Sequence, residues 1–153
     1  MNKYYENTEG QLFVDPIVAN HDGLTEITQE QFNQIIEERS KPTTNQLLWQ
    51  LTQQRKAQER QGVVINGIRY AGDPGNRQTL QEAITYIEDA GLAEFPSWKD
   101  SDGVFHQNNP LADVKDAARA IGARRSQLIA AEGEYAAQII AGTLTDLTEV
   151  VWP

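Results

Sequence analysis

The sequence contains no cysteine among its 153 residues. Disulfide bonds, thiol catalysis and zinc sites built from thiolates are therefore excluded. No run approaches the roughly 18–20 apolar residues of a membrane-spanning helix. The opening stretch, MNKYYENTEG, lacks the apolar segment of a secretory signal. These absences predict a chain that is made in the cytoplasm and has no membrane partner.

Basic residues are scarce. The chain has 13 Lys and Arg but 22 Asp and Glu, which gives a net charge of -9. Residues 1–42 carry eight acids and three bases, residues 43–91 five of each, and residues 92–153 nine acids and five bases. Nucleic-acid binding requires a concentration of Lys and Arg, and no segment has an excess of them. We therefore predict no nucleic-acid partner.

Residues suited to catalysis or metal binding are few and poorly spaced. His21 and His106 lie in polar loops, each with an aspartate nearby, but neither belongs to an H-x3-H or H-E-x2-H pattern. The D-x-D-G stretch at residues 100–103 resembles half of a calcium loop, yet Leu111 occupies its twelfth position. Ser126 has no histidine partner in the sequence. We predict no catalytic, cofactor-binding or metal-binding residues and therefore no cofactor.

The glycine-rich stretch NGIRYAGDPGNRQTL, residues 66–80, resembles a phosphate-binding loop only superficially. Its glycines are spaced G-x4-G-x2-G, unlike the dinucleotide fingerprint, and Asp73 replaces the lysine of a Walker loop. Asn66-Gly67 after three β-branched residues is the strongest two-residue hairpin signal. The stretch therefore predicts a hairpin, then a turn in which Asp73 or Asn76 caps a helix over 77–90.

The first part of the chain predicts a hairpin followed by a capped helix. Residues 3–14 form two short strands around a turn at residues 7–10, and a loop follows over 15–24. Thr28, three residues before Gln31, fits a capping box, and this helix should end near Ser40.

A second helix is expected over residues 43–61, capped by Thr43 or Thr44. Beyond Leu51 it has almost nothing apolar to bury, so this part should be solvated or pack on another chain.

The rest of the chain predicts a second short hairpin and one long helix. The hairpin turns near residues 102–103, and Asn109 caps a helix over 110–141 with Pro110 at its first position. Apolar residues of this helix alternate at spacings of three and four, which is typical of a coiled-coil seam. Gly122 and Gly133 either weaken the helix or allow a close helix approach.

These elements together predict an α+β fold of small β-hairpins and several helices, with one long C-terminal helix of coiled-coil character. The expected divisions are an N-terminal hairpin-helix unit (1–42), a connecting helix (43–61) and a C-terminal hairpin-helix domain with an apolar tail (62–153). The tail should pack on the body or add to a neighbouring chain as a strand. The candidate interface residues are Trp49, Arg124, Arg125, Leu128, Tyr135, Leu147, Val150, Val151 and Trp152.

Two parts of the chain resemble tailed-phage proteins. The stretch RQGVVINGIRYAGDPGNRQTLQEAI, the motif WKDSDGVF and the long helix LADVKDAARAIGARRSQLIAAEGEYAAQIIAG are similar to a domain of unknown function in phage tail-fibre and tail-associated proteins. The N-terminal YYENTEGQLFVDPI and LTEITQEQFNQIIEE resemble the opening of phage tail-fibre assembly proteins. The proline-rich linker that often follows the first helix of assembly proteins is reduced here to Lys41-Pro42.

The resemblance implies a non-enzymatic virion protein of the tail-fibre or baseplate region, made in the host cytoplasm. Its expected partner is a tail-fibre or baseplate protein, and a homotrimer is the expected oligomer. An alternative is a chaperone that binds the fibre tip during assembly. An enzyme using the Asp73 loop or the His106 hairpin is a remote third possibility.

Overall fold

The computed structural model describes residues 2–15 and 22–153, and it shows the predicted α+β fold. The predicted loop segment 16–21, which includes His21, lies outside the described residues. The chain divides into two compact units, Met1–Pro42 and Thr43–Pro153. Residues 43–61, which the sequence suggested as a separate connecting helix, belong to the second unit.

The first unit is a three-stranded antiparallel sheet with one helix. Strands β1 (Tyr4–Asn7), β2 (Leu12–Val14) and β3 (Leu24–Ile27) are arranged in the order β2-β1-β3. Helix α1 (Gln29–Ser40) begins with the predicted Thr28 capping box. Strand β3 was not predicted, because its four residues lie where the sequence indicated the end of a loop and the approach to the helix. It pairs with the edge of β1 that β2 leaves open.

Helix α1 is held against this sheet by an aromatic contact and by one arginine. The rings of Tyr4 and Phe32 have centroids 4.7 Å apart. Arg39 Nη2 donates a hydrogen bond to the carbonyl oxygen of Gly10 in the β1–β2 turn. The predicted elements of the first unit therefore pack on one another within that unit.

The second unit contains three helices and two hairpins. In chain order these are α2 (Thr44–Gln61), β4 (Val63–Ile65), β5 (Ile68–Tyr70), α3 (Pro74–Asp89), β6 (Glu94–Lys99), β7 (Phe105–Pro110) and α4 (Leu111–Ile140). Helix α4 lies antiparallel to α2. The main core of the second unit lies between α3, α4 and the two hairpins. It comprises Ile68, Tyr70, Leu80, Ile84, Ile87, Phe95, Val114, Ala117 and Ile121.

The first hairpin and the start of α3 follow the local sequence signals. Asn66 and Gly67 both have positive φ angles, 49° and 81°, as a type I′ turn requires. Asp73, one of the two predicted caps, is the N-cap residue, and its side chain accepts a hydrogen bond from the backbone N–H of Asn76. The helix therefore begins at Pro74, three residues earlier than predicted.

Asn109 does not cap the long helix, contrary to the sequence prediction. It is 2% exposed, lies in β7 opposite Phe95, and exchanges hydrogen bonds with the hydroxyl of Tyr70. A buried amide requires such a partner, and the Tyr70 hydroxyl supplies it in the core. Pro110 takes the N-cap position without a side-chain hydrogen bond, and α4 begins at Leu111.

Glycine is required where α2 ends against the end of β5. A Cβ atom at Gly62 would lie 1.8 Å from the carbonyl oxygen of Tyr70, and one at Gly72 would lie 2.3 Å from that of Glu59. By contrast, a Cβ at Gly122 or Gly133 meets nothing within 4 Å. The close helix approach suggested for the two glycines of α4 is therefore absent, and α4 continues unbroken through both.

Candidate functional site

One end of the helix pair α2–α4 carries an apolar cluster that the C-terminal tail completes. We call it the terminal cluster. Its buried members come from the beginning of α2, the end of α4 and the tail: Leu47, Leu51, Ile139 and Leu144. Partly buried side chains surround them: Leu48, Tyr135, Ala136, Leu147, Val150 and Trp152. The tail thus packs on the body, which is one of the two arrangements predicted for it.

The tail is fixed by hydrogen bonds to both helices. The Tyr135 hydroxyl accepts from the backbone N–H of Val151 and donates to its carbonyl oxygen, each at 3.1 Å. Trp152 Nε1 donates to Gln54 Oε1 at 3.2 Å. The rings of Tyr135 and Trp152 meet edge to face with centroids 6.2 Å apart. These contacts hold Val151 and Trp152 in a defined position.

Three large apolar side chains remain exposed around the terminal cluster. Trp49 on α2 is 65% exposed, Ile140 at the end of α4 is 70% exposed, and Val151 in the tail is 76% exposed. The surrounding segments 43–54 and 135–145 contain no charged residue, in a chain that is 23% charged. The tail adds two exposed carboxylates, Asp146 and Glu149. Exposed aromatic and aliphatic side chains with few charged neighbours are typical of a protein-interaction surface.

The structure separates the predicted interface residues into exposed and internal ones. Trp49 and Val151 are exposed, whereas Leu128 is fully buried and is therefore unavailable to a partner. Tyr135, Leu147, Val150 and Trp152 pack within the terminal cluster. Ile140 was missed, although it ends the apolar pattern of α4 next to Gly142.

The polar half of α2 packs on α4 of the same chain, so the prediction of a solvated or interchain segment was wrong. Thr52 donates to Glu132 at 2.7 Å, and Arg124 donates to Gln58 at 3.4 Å. Glu59, whose side chain is only 6% exposed, pairs with Arg55 in the preceding turn of α2. Polar side chains that find charged partners can be buried, which the apolar pattern alone does not reveal.

Three arginines converge on the carboxylate of Glu59. Besides Arg55, the Arg125 Nε atom lies 3.3 Å and the Arg77 Nη1 atom 3.6 Å from its oxygens. Arg55 also pairs with Glu132. A neighbouring cavity of about 400 Å³ is lined by Arg55, Lys56, Glu59, Arg60, Asp73, Pro74, Arg77 and Arg125. We call this basic cavity the Glu59 site; no local sequence signal indicates it, because its cations come from three helices.

A second cavity, of about 300 Å³, lies beside the main core between α3 and the β6–β7 hairpin. Its aromatic wall includes Trp98, whose ring lies 4.9 Å from that of Phe95 and 5.7 Å from that of Tyr70. The indole N–H of Trp98 is buried without a hydrogen-bond partner. Burial raises the pKa of Tyr70, although its hydrogen bond with Asn109 opposes this.

The aspartates of the predicted calcium-like loop have structural partners. Asp100 contacts His106 Nε2 at 2.8 Å and accepts hydrogen bonds from the N–H groups of Asp102 and Val104. The hydrogen bond from His106 is the main reason that the pKa of Asp100 is lowered. Asp102 pairs with Arg69. Across residues 2–15 and 22–153, no group of three or more acidic or histidine side chains could hold a metal ion.

A search of the described helices found none that is long and apolar enough to cross a membrane.

Comparison with known proteins gave one match. A family model described as Domain of unknown function (DUF4376) matches residues 43–151. This range corresponds closely to the second compact unit, and it includes the Glu59 site and all of the terminal cluster except Trp152. The curated proteins gave no match. The solved structures gave none either.

Proposed function

The chain belongs to the DUF4376 family, and we propose that it is a non-enzymatic structural or adaptor protein of the tail-fibre or baseplate region of a tailed bacteriophage. The observation that carries the proposal is the set of exposed apolar side chains around the terminal cluster. The resemblance of the N-terminal and C-terminal stretches to tail-associated phage proteins supports the phage assignment. In this proposal the protein is made in the host cytoplasm and then incorporated into the virion tail.

The uncharged end of the helix pair suits contact between copies of an acidic chain. Each copy carries a net charge of -9, so contacts through most of the surface would bring like charges together. Trp49, Ile140 and Val151 can meet another copy with less of that repulsion, because the two helix segments are uncharged and only Asp146 and Glu149 of the tail add charge. Tryptophan in particular contributes a large contact area at low entropic cost. We propose a trimer joined at this end, which in turn binds a tail-fibre or baseplate protein.

A second candidate function is a chaperone that binds the fibre tip and then leaves. It is favoured by the first unit, whose aromatic hairpin and Thr28-capped helix resemble the opening of tail-fibre assembly proteins. Both functions use protein contacts and neither needs a catalytic residue. They differ in whether the chain remains in the finished particle.

Quantitative mass spectrometry of purified phage particles tests the proposal. A structural subunit should be present at a fixed ratio to a tail protein of known copy number. A chaperone should be absent from particles but bound to the fibre protein in lysates of infected cells. Absence from particles together with absence from fibre complexes would contradict both functions.

A further inference from the structure

The cavity beside Glu59 has an excess of positive charge. Its lining contains five cationic side chains but only two carboxylates, those of Glu59 and Asp73. Glu132 lies outside the lining and offsets one of the charges through Arg55. The excess is therefore two to three positive charges, on a chain whose net charge is -9. Such a local reversal of sign concentrates anions at the cavity.

The cationic side chains of this cavity differ in their exposure and in whether they form ion pairs. Arg55 and Glu59 are almost buried and pair with each other, so they form the wall of the cavity. Lys56 and Arg60 are exposed, and neither forms an ion pair with any residue that the structure describes. Arg125 contacts Glu59 through Nε, and its side chain is still 44% exposed. The ammonium group of Lys56 and the guanidinium groups of Arg60 and Arg125 can therefore donate to a ligand.

From these observations we propose that the cavity binds a small polyanion with two or three negative charges, carried on phosphate or carboxylate groups. Guanidinium groups bind both kinds of oxyanion with paired hydrogen bonds. The volume of about 400 Å³ lies within the usual range of small-molecule sites. This site is separate from the terminal cluster, so it adds a ligand to the proposed function and does not depend on it.

Isothermal titration calorimetry of the full-length protein with sodium diphosphate and with citrate tests the proposal. At low salt, one or both should bind with a stoichiometry of one per chain, and the affinity should fall as salt screens the charges. Binding of diphosphate but not of citrate would identify a phosphate-bearing ligand. Binding of citrate but not of diphosphate would identify a carboxylate-bearing ligand. If neither shows saturable binding up to about 10 mM, a range typical of weak but specific small-ligand sites, the proposal is wrong.

Three variants locate the binding. The double variant Lys56→Gln/Arg60→Gln should weaken binding by roughly tenfold or more, because it removes two charged donors. Asp73→Asn should strengthen binding, since asparagine still caps α3 but removes a negative charge from the lining. Arg119→Gln is the matched control, because Arg119 is exposed on α4 but does not line the cavity. Equal affinities across all these proteins would overturn the proposal.

Titration with a hexaglutamate peptide tests whether an acidic protein segment, and not a small molecule, occupies the cavity. A small-molecule site should bind this peptide no more tightly than diphosphate or citrate. If the peptide binds more tightly and the Lys56→Gln/Arg60→Gln variant loses that binding, the cavity takes an acidic protein segment and the small-molecule proposal is wrong. Circular dichroism of each variant verifies that its helices are intact.

Discussion

At the residue scale, Gly72 has a structural role that its place in a glycine-rich stretch conceals. Its Cα lies against the backbone of Glu59, so the end of β5 can meet the end of α2 only if residue 72 has no side chain. This contact also brings Arg77 of α3 towards the Glu59 carboxylate. A sequence that resembles a phosphate loop therefore serves to pack backbone against backbone.

Gly72→Ala should destabilise the protein by about 1–3 kcal/mol, because the added methyl group forces backbone to move. Gly75→Ala is the matched control. A Cβ there makes only an ordinary contact, 3.5 Å from Asp73 Oδ1, and alanine favours the helix. Urea denaturation of the two variants and the wild type measures the difference. Equal losses of stability in both variants would contradict the role assigned to Gly72.

Asp73 should make the stability of the protein depend on pH. Burial raises the pKa of Asp73, but hydrogen bonds from the side chain and backbone N–H of Asn76 outweigh this, so its pKa is lowered. A lowered pKa means that the carboxylate stabilises the fold above the unfolded-state value of about 3.9. That contribution is lost as the pH falls below about 3.9 and through the folded-state pKa.

Asp73→Asn retains the cap but does not titrate, which isolates this effect. The free energy of unfolding of the wild type should exceed that of the variant at pH 6, and the gap should close as the pH falls from about 4 towards 2.5. Denaturation in urea at a series of pH values measures both curves. If the two curves run parallel over this range, Asp73 does not contribute in the way described.

At the element scale, local sequence signals predicted where helices and turns begin better than they predicted which elements pack together. The Asn66-Gly67 turn, the capping box at Thr28 and the cap at Thr43, one of two candidates, appear where the sequence indicated them, because each depends on residues within a few positions. Strand β3 and the charged packing of α2 on α4 were missed, since both depend on partners far along the chain. Asn109 was misplaced for the same reason, because Tyr70 is 39 residues away.

The C-terminal tail shows how one side chain can fix an element. Tyr135→Phe removes both hydrogen bonds to the Val151 backbone but keeps the ring in the terminal cluster. We expect a loss of about 1 kcal/mol of stability and faster hydrogen exchange at the Val151 amide. Tyr86→Phe is the control, because Tyr86 is a mostly exposed tyrosine on α3. Unchanged exchange at Val151 would show that the hydroxyl does not hold the tail.

At the scale of the whole molecule, the terminal cluster with its exposed apolar neighbours and the basic cavity occupy different parts of the second unit. The helix segments that build the terminal cluster are uncharged, whereas the Glu59 site collects cations from three helices. The sequence predicted that the apolar tail docks and named Trp49 and Val151 as interface candidates, because these hydrophobic residues have no obvious core to join. It could not predict the basic cavity, since five cations were distributed among segments with no net positive charge.

In the proposed trimer, the exposed side chains around the terminal cluster join copies of this chain. Sedimentation equilibrium at high micromolar concentration tests it most directly, with the wild type, the double variant Trp49→Ser/Val151→Ser and the control Gln53→Ser. Gln53 is an exposed polar residue one turn beyond Trp49 on α2. We expect three times the chain mass for the wild type and the control, and a single chain mass for a folded double variant. A wild type that sediments as a single chain, or a double variant that still forms trimers, would contradict it.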